Sequence, residues 1–187
     1  MSVLFIKNMV CNRCTLMVQK EIEKLGLTIV SIKLGEVELE RELTPAEQET
    51  LDQALVALGF ERIDDKKSQL IARIKTSIVA LVHYQDNELK VNLSDFLSQE
   101  LGHEYNYLSN LFSEIEGKTI EKYFIAQKVE RIKELLVYDE LSLSEIAHRL
   151  NYSSVAYLSN QFKKVTGLTP SHFKKIRENK RKPLDQV

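Results

Sequence analysis

With 187 residues, 43% of them apolar, and seven Tyr and seven Phe, the chain can fill one or two packed cores, which excludes a disordered or low-complexity protein. The formal charge of −1 hides an asymmetry: residues 1–65 carry −5, 66–90 carry +3, 91–138 carry −3 and 139–187 carry +4. The longest apolar run, residues 78–82, is too short to cross a bilayer, and the start lacks a basic region followed by a long apolar stretch, so a soluble cytoplasmic protein without membrane partners is expected.

Residues 3–9 read as a strand, with Val3, Phe5 and Lys7 on one face and Leu4, Ile6 and Asn8 on the other. Cys11 and Cys14, the only two cysteines, fall in the loop that follows; so close together they staple no long loop, and a reducing compartment is expected. From Cys14 onward Met17, Val18, Ile22 and Leu25 recur at helical spacing up to Gly26. Residues 28–34 and 36–41 form a hairpin through Gly35, rich in β-branched side chains. Thr44-Pro45 opens a second helix, with Pro at its first position and Glu47 three residues past the Thr in a capping-box arrangement. That helix should bury Leu51, Leu55 and Leu58 and stop at Gly59, leaving residues 60–63 for a last strand. The order βαββαβ over residues 1–65 predicts a ferredoxin-like unit.

With Met9-Val10-Cys11-Asn12-Arg13-Cys14 at its first loop, this unit resembles a heavy-metal-associated domain, although Asn8 stands where that family usually has Gly. The resemblance implies that Cys11 and Cys14 are ligands of Cu(I) or another soft metal ion, and that a metallochaperone is a partner. The residue types suit that chemistry. A loop opening a helix lowers thiol pKa, Arg13 adds positive charge, and a lone pair of thiolates suits two-coordinate copper better than tetrahedral zinc. Two alternatives stay open for the pair: a reversible dithiol/disulfide switch, and a structural role in a domain used for protein contacts. His83, His103, His148 and His172 are scattered over helical segments and read as surface or packing residues.

In residues 66–84 the positions Leu70, Ile71, Ile74, Ile78, Leu81 and Val82 recur at three and four, which predicts an amphipathic helix ended by Asp86-Asn87. Beyond it lies an internal repeat. Tyr107-Leu108-Ser109-Asn110-Leu111-Phe112 returns as Tyr157-Leu158-Ser159-Asn160-Gln161-Phe162, each followed by Gly117 or Gly167, Thr119 or Thr169, and Tyr123 or Phe173. Upstream, with a one-residue slip, Leu97, Leu101 and Gly102 answer Ile146, Leu150 and Asn151. Each copy reads as a short helix, N-capped at Ser94 or Ser144 and closed near Gly102 or Asn151, then a turn and a second helix over 104–115 or 154–165. Leu108/Phe112 and Leu158/Phe162 form its buried stripe, with Tyr107 and Tyr157 partly buried. Between the copies, residues 120–138 predict a long helix burying Tyr123, Phe124, Val129, Ile132, Leu135 and Leu136 and broken by Asp139-Glu140. Helix, turn, second helix is the layout of a helix-turn-helix.

Residues 66–177 resemble the DNA-binding region of the AraC/XylS family, most closely at Leu143-Ser144-Glu145-Ile146-Ala147, Asn151-Tyr152-Ser153-Ser154, Tyr157, Phe162-Lys163-Lys164, Thr166-Gly167 and Thr169-Pro170. The fold class expected is therefore α+β: a ferredoxin-like domain (1–65), an all-α domain with two helix-turn-helix modules (66–177) and a basic, flexible tail (178–187). The implied partner is double-stranded DNA, with RNA polymerase a further one, bound by a monomer or homodimer. Candidate base contacts are Tyr105, Asn106, Ser109 and Asn110 in the first module and Ser154, Val155, Ala156, Ser159 and Asn160 in the second, with Lys163 and Lys164 on phosphates. No glycine-rich phosphate loop, supported Ser/His/Asp grouping or metal-hydrolase motif occurs, so the chain is not expected to be an enzyme. The alternative to a transcriptional regulator is a metal-binding carrier or protein-interaction module that does not bind DNA, motivated by the acidic first module.

Overall fold

The computed structural model describes residues 2–85, 91–138 and 140–176. The elements run β1 (Ser2–Lys7), α1 (Asn12–Lys24), β2 (Ile29–Lys33), β3 (Glu36–Leu39), α2 (Pro45–Ala57), β4 (Glu61–Ile63), α3 (Lys66–His83), α4 (Leu93–Leu101), α5 (Tyr105–Glu116), α6 (Ile120–Tyr138), α7 (Leu143–Arg149), α8 (Val155–Thr166) and α9 (Pro170–Ile176). The chain divides into two compact units, Met1–Thr76 and Ser77–Val187, with the division inside α3. The basic tail and the helix-ending residues Asp86-Asn87 and Asp139 lie outside the described residues.

In the first unit the strands form one antiparallel sheet in the order β2-β3-β1-β4. Alternation decides its faces: Leu4 and Ile6 of β1, Val37 and Leu39 of β3 and Ile63 of β4 are buried, whereas Val3 is exposed. Val18 and Ile22 of α1 and Leu51 and Leu55 of α2 complete the core. The capping box at the start of α2 is formed, with the Glu47 N–H donating to Thr44 Oγ1 and the Thr44 N–H to the Glu47 carboxylate. Arg62 of β4 grips the Asp52 carboxylate of α2 through Nε at 2.8 Å and Nη2 at 3.0 Å. Leu58 departs from expectation: it is the C-cap, past the last turn that faces the sheet, and stays 37% exposed.

In the second unit each module packs its short helix on its second helix, and α6 packs on α5, α7, α8 and α9. Leu108 and Phe112 of α5 and Leu158 and Phe162 of α8 are fully buried. The repeat extends to aromatic pairs: Phe112 meets Tyr123 with ring centroids 5.7 Å apart, and Phe162 meets Phe173 at 5.6 Å. The first helices end as read. Gly102 closes α4 at φ 70°, and after α7 the left-handed position falls to Asn151 at φ 52°, the residue type that tolerates it best after Gly. Their starts do not. The N-caps are Asn92 and Ser142, not Ser94 and Ser144, because Asn92 accepts from the Asp95 N–H and Ser142 forms a full capping box with Glu145. In α6 Phe124 is half-buried rather than buried. Helix α9 was not anticipated as an element, although Thr169-Pro170 and Phe173 repeat Thr119-Ile120 and Tyr123 at the start of α6.

Candidate nucleic-acid interface and thiol pair

The second helix of each module turns a polar edge to solvent. In α8 the stripe Leu158/Phe162 faces inward, so the residues two away from it emerge opposite: Ala156, Asn160 and Lys164 follow at intervals of four, all exposed, with Lys163 beside them. In α5 the corresponding exposed pair is Asn106 and Asn110. Ser109, Ser159 and Val155 are half-buried and sit at the margin of this edge.

Two predicted readers are engaged elsewhere. The Tyr105 hydroxyl donates to the Glu121 carboxylate in the first turn of α6, and burial together with that bond pushes its pKa up. Ser154 is the N-cap of α8, its hydroxyl accepting from the Tyr157 N–H at 3.1 Å. Two residues that were expected to be partly buried are exposed instead: Tyr107 by 48% and Tyr157 by 55%.

The modules differ in charge. Residues 91–117 hold no Lys or Arg and carry Asp95, Glu100, Glu104, Glu114 and Glu116. The N-cap of α5 is Glu104, with no side-chain cap bond, so a carboxylate stands where the helix start would otherwise attract an anion. The α8 end is the reverse, with Ser154 at its start and Lys163 and Lys164 in its last turn, where cations complement the helix dipole.

In the first unit Cys11 is the N-cap of α1 and Cys14 lies in the first turn, so Cys14 belongs to the helix rather than to the loop. Their sulfurs are 3.1 Å apart, as free thiols. Burial pushes the Cys11 thiol up, but the Cys14 thiol, the backbone N–H groups of Cys14 and Arg13 and the Arg13 charge outweigh it, so its pKa is lowered. The Cys14 thiol is pushed up, first by burial and then by its bond to Cys11. Asn8, at φ 69°, donates from Nδ2 to the Gly59 carbonyl at 3.0 Å, so the residue replacing Gly before Met9 occupies a left-handed position that Asn tolerates. Among the described residues no group of three or more His, Cys, Asp or Glu could hold a metal ion, so a four-ligand zinc site is not built there. The two half-buried thiols are a donor pair that suits a two-coordinate soft ion better than tetrahedral zinc.

A family model described as a helix-turn-helix domain matches residues 97–176. The xylose operon regulatory protein of Escherichia coli K12 is 28% identical over 101 residues, which are 54% of this chain and 26% of that protein. The uncharacterized transcriptional regulatory protein YesN of Bacillus subtilis is 35% identical over 72 residues, 37% of this chain and 20% of that protein. The chain thus spans about a quarter or less of the length of these curated relatives. The C-terminal domain of AraT, a response regulator from Geobacillus stearothermophilus, shares the fold at TM-score 0.51 and 24% identity, covering 63% of this chain and 95% of that domain. Among the described residues no helix is long and apolar enough to cross a membrane.

Proposed function

We propose that this protein is a sequence-specific, cytoplasmic regulator of transcription with an AraC-type DNA-binding region, whose first unit senses a soft metal ion or thiol redox state at Cys11 and Cys14; the match of residues 97–176 to a helix-turn-helix domain supports the first part of this reading. One observation carries the DNA reading: α5 and α8 bury their Leu/Phe stripes completely while leaving Asn106 and Asn110, and Ala156, Asn160, Lys163 and Lys164, in solvent. Asn can pair bidentately with adenine, Ala can touch a thymine methyl, and the lysines suit phosphates. Helix α6, at about 1.5 Å per residue, is on the order of 28 Å long. Two reading helices in one chain could engage successive major-groove faces about 34 Å apart, so a dimer is not required.

For the first unit, the βαββαβ order with a β2-β3-β1-β4 sheet supports a ferredoxin-like, heavy-metal-associated type of domain. Cys11 and Cys14 would hold the ion. A soft ion such as Cu(I) would supply charge and a fixed bridge at the start of α1, and the lowered Cys11 thiol is the readier of the two to ionise. A second reading, a carrier or interaction module without DNA binding, is favoured by the absence of Lys and Arg from residues 91–117.

Binding to random duplex between about 50 and 200 mM salt separates the two: a regulator shows a steep loss of affinity with salt, a carrier shows no binding at all. On a duplex selected by the wild type, Asn160→Ala is expected to cost about 1–3 kcal/mol. Unchanged affinity for that duplex would remove Asn160 from the reading edge. Titrating Cu(I), Zn(II) and an oxidant into wild type and a Cys11→Ser/Cys14→Ser variant, while following DNA affinity, tests the sensor. An identical response in both proteins would end that part of the proposal.

A further inference from the structure

Tyr152, in the turn before α8, is tied to that helix twice. Its hydroxyl donates to Gln161 Oε1 at 2.6 Å, and its ring meets Tyr157 with centroids 5.9 Å apart. The ring also receives a cation. The Lys128 ammonium of α6 stands 3.7 Å from the Tyr152 centroid and 5.5 Å from that of Phe124. Lys128 is only 7% exposed, and burial shifts its pKa down, with no carboxylate among the described residues contributing. The aromatic faces are thus its electrostatic partners, and a desolvated cation over a tyrosine face is held more strongly than one in water.

The first module repeats part of this arrangement and lacks the rest. His103 and Tyr107 form the matching ring pair at 5.5 Å, but His103 is exposed and Leu111 stands where α8 has Gln161. The extra tie occurs in the module whose recognition helix carries the lysines. A buried charge with no carboxylate opposite it is a costly way to fill a core position, since an apolar side chain would pack there without the desolvation penalty.

We propose that Lys128 is a positioning residue for the recognition helix α8: by holding the Tyr152 ring it fixes, through Gln161 and Tyr157, how Ala156 and Asn160 are presented to the bases. It thereby sets sequence discrimination, not overall grip. The inference rests on the DNA-binding reading given above.

The test uses the full chain with Lys128→Met, Lys128→Arg and Tyr152→Phe. Affinity is measured for a duplex selected by the wild type from a random pool and for random duplex, and amide hydrogen exchange is followed along α8. Lys128→Met and Tyr152→Phe should lower the selected-to-random ratio by about tenfold, the scale of one good base contact, with random-duplex affinity and salt slope unchanged. Lys128→Arg, which keeps a cation over the ring, should restore the ratio. In the Met variant α8 amides should exchange faster while those of α1 and α2 stay as in wild type. An unchanged ratio overturns the proposal, as does a parallel loss on both duplexes, which would mark a purely structural role. Should the wild type bind no duplex, the regulator reading falls, and unchanged α8 exchange in Lys128→Met then refutes the positioning role separately.

Discussion

Lys128 makes a pH dependence that can be signed. Burial lowers its pKa from the ordinary 10.5 to about 8, while the unfolded chain keeps the ordinary value. Between those values the unfolded state binds more protons than the folded one, so the stability contributed by this group rises with pH. The shift corresponds to about 3 kcal/mol at most, and attraction to the Tyr152 face, about 1–2 kcal/mol when desolvated, favours the charged form and reduces it. Wild-type stability measured by urea unfolding should therefore gain about 1–3 kcal/mol on Lys128→Met between roughly pH 7.5 and 10. A constant difference would mean that the ammonium is hydrated. The thiols allow a second comparison. Cys11, with its pKa lowered, should alkylate before Cys14, and Cys14→Ala should slow Cys11, because it removes the hydrogen bond that lowers it. Peptide mass spectrometry after brief iodoacetamide treatment checks the order, and equal rates would contradict it.

Among the helices, the caps show what a local pattern does and does not reveal. Ser142 and Ser144 stand on either side of Leu143, the first residue of α7, and proximity to an acidic residue points to Ser144, yet only Ser142 stands three residues before Glu145, the spacing that a reciprocal box requires. Ser142→Ala should lower unfolding stability by about 1 kcal/mol, and Ser144→Ala should stay within about 0.5 kcal/mol. Equal effects in chemical denaturation would reverse the assignment. Period and capping made most elements readable: α3, α5, α6 and α8 lie within a residue or so of their expected bounds, because each has a buried stripe and α5 and α8 close at the left-handed Gly117 and Gly167. Helix α9 escaped because seven residues are too few to show a period, and in the first copy its counterpart is hidden inside the long α6. The exposed polar edge of α5 and α8 was legible as the complement of the buried stripe. Tyr105, bonded to Glu121, and Lys128, beneath Tyr152, depend on partners 16 and 24 positions away, which no local pattern signals.

Across the chain as a whole, the unequal modules lead to the broadest expectation. Phosphate neutralisation governs the salt dependence of DNA binding, and each lysine on a phosphate adds about 1 to the logarithmic slope. The first module has no cation between residues 91 and 117 and a carboxylate at the start of α5, whereas α8 ends in Lys163 and Lys164. The duplication thus kept the buried stripe in both copies, where packing requires it, and let the surface diverge, where it does not. If both copies read DNA, they do so by different means: α8 by phosphates and bases together, α5 by bases through Asn106 and Asn110. Lys163→Ala with Lys164→Ala should reduce the slope by about 2 on any duplex. Asn106→Ala with Asn110→Ala should leave the slope untouched and weaken binding only to a selected sequence. Fluorescence anisotropy across about 50–200 mM salt distinguishes them. If the asparagine pair leaves both duplexes unaffected, α5 is not a reader and the protein grips DNA through one module; if the lysine pair leaves the slope unchanged, α8 is not in the groove.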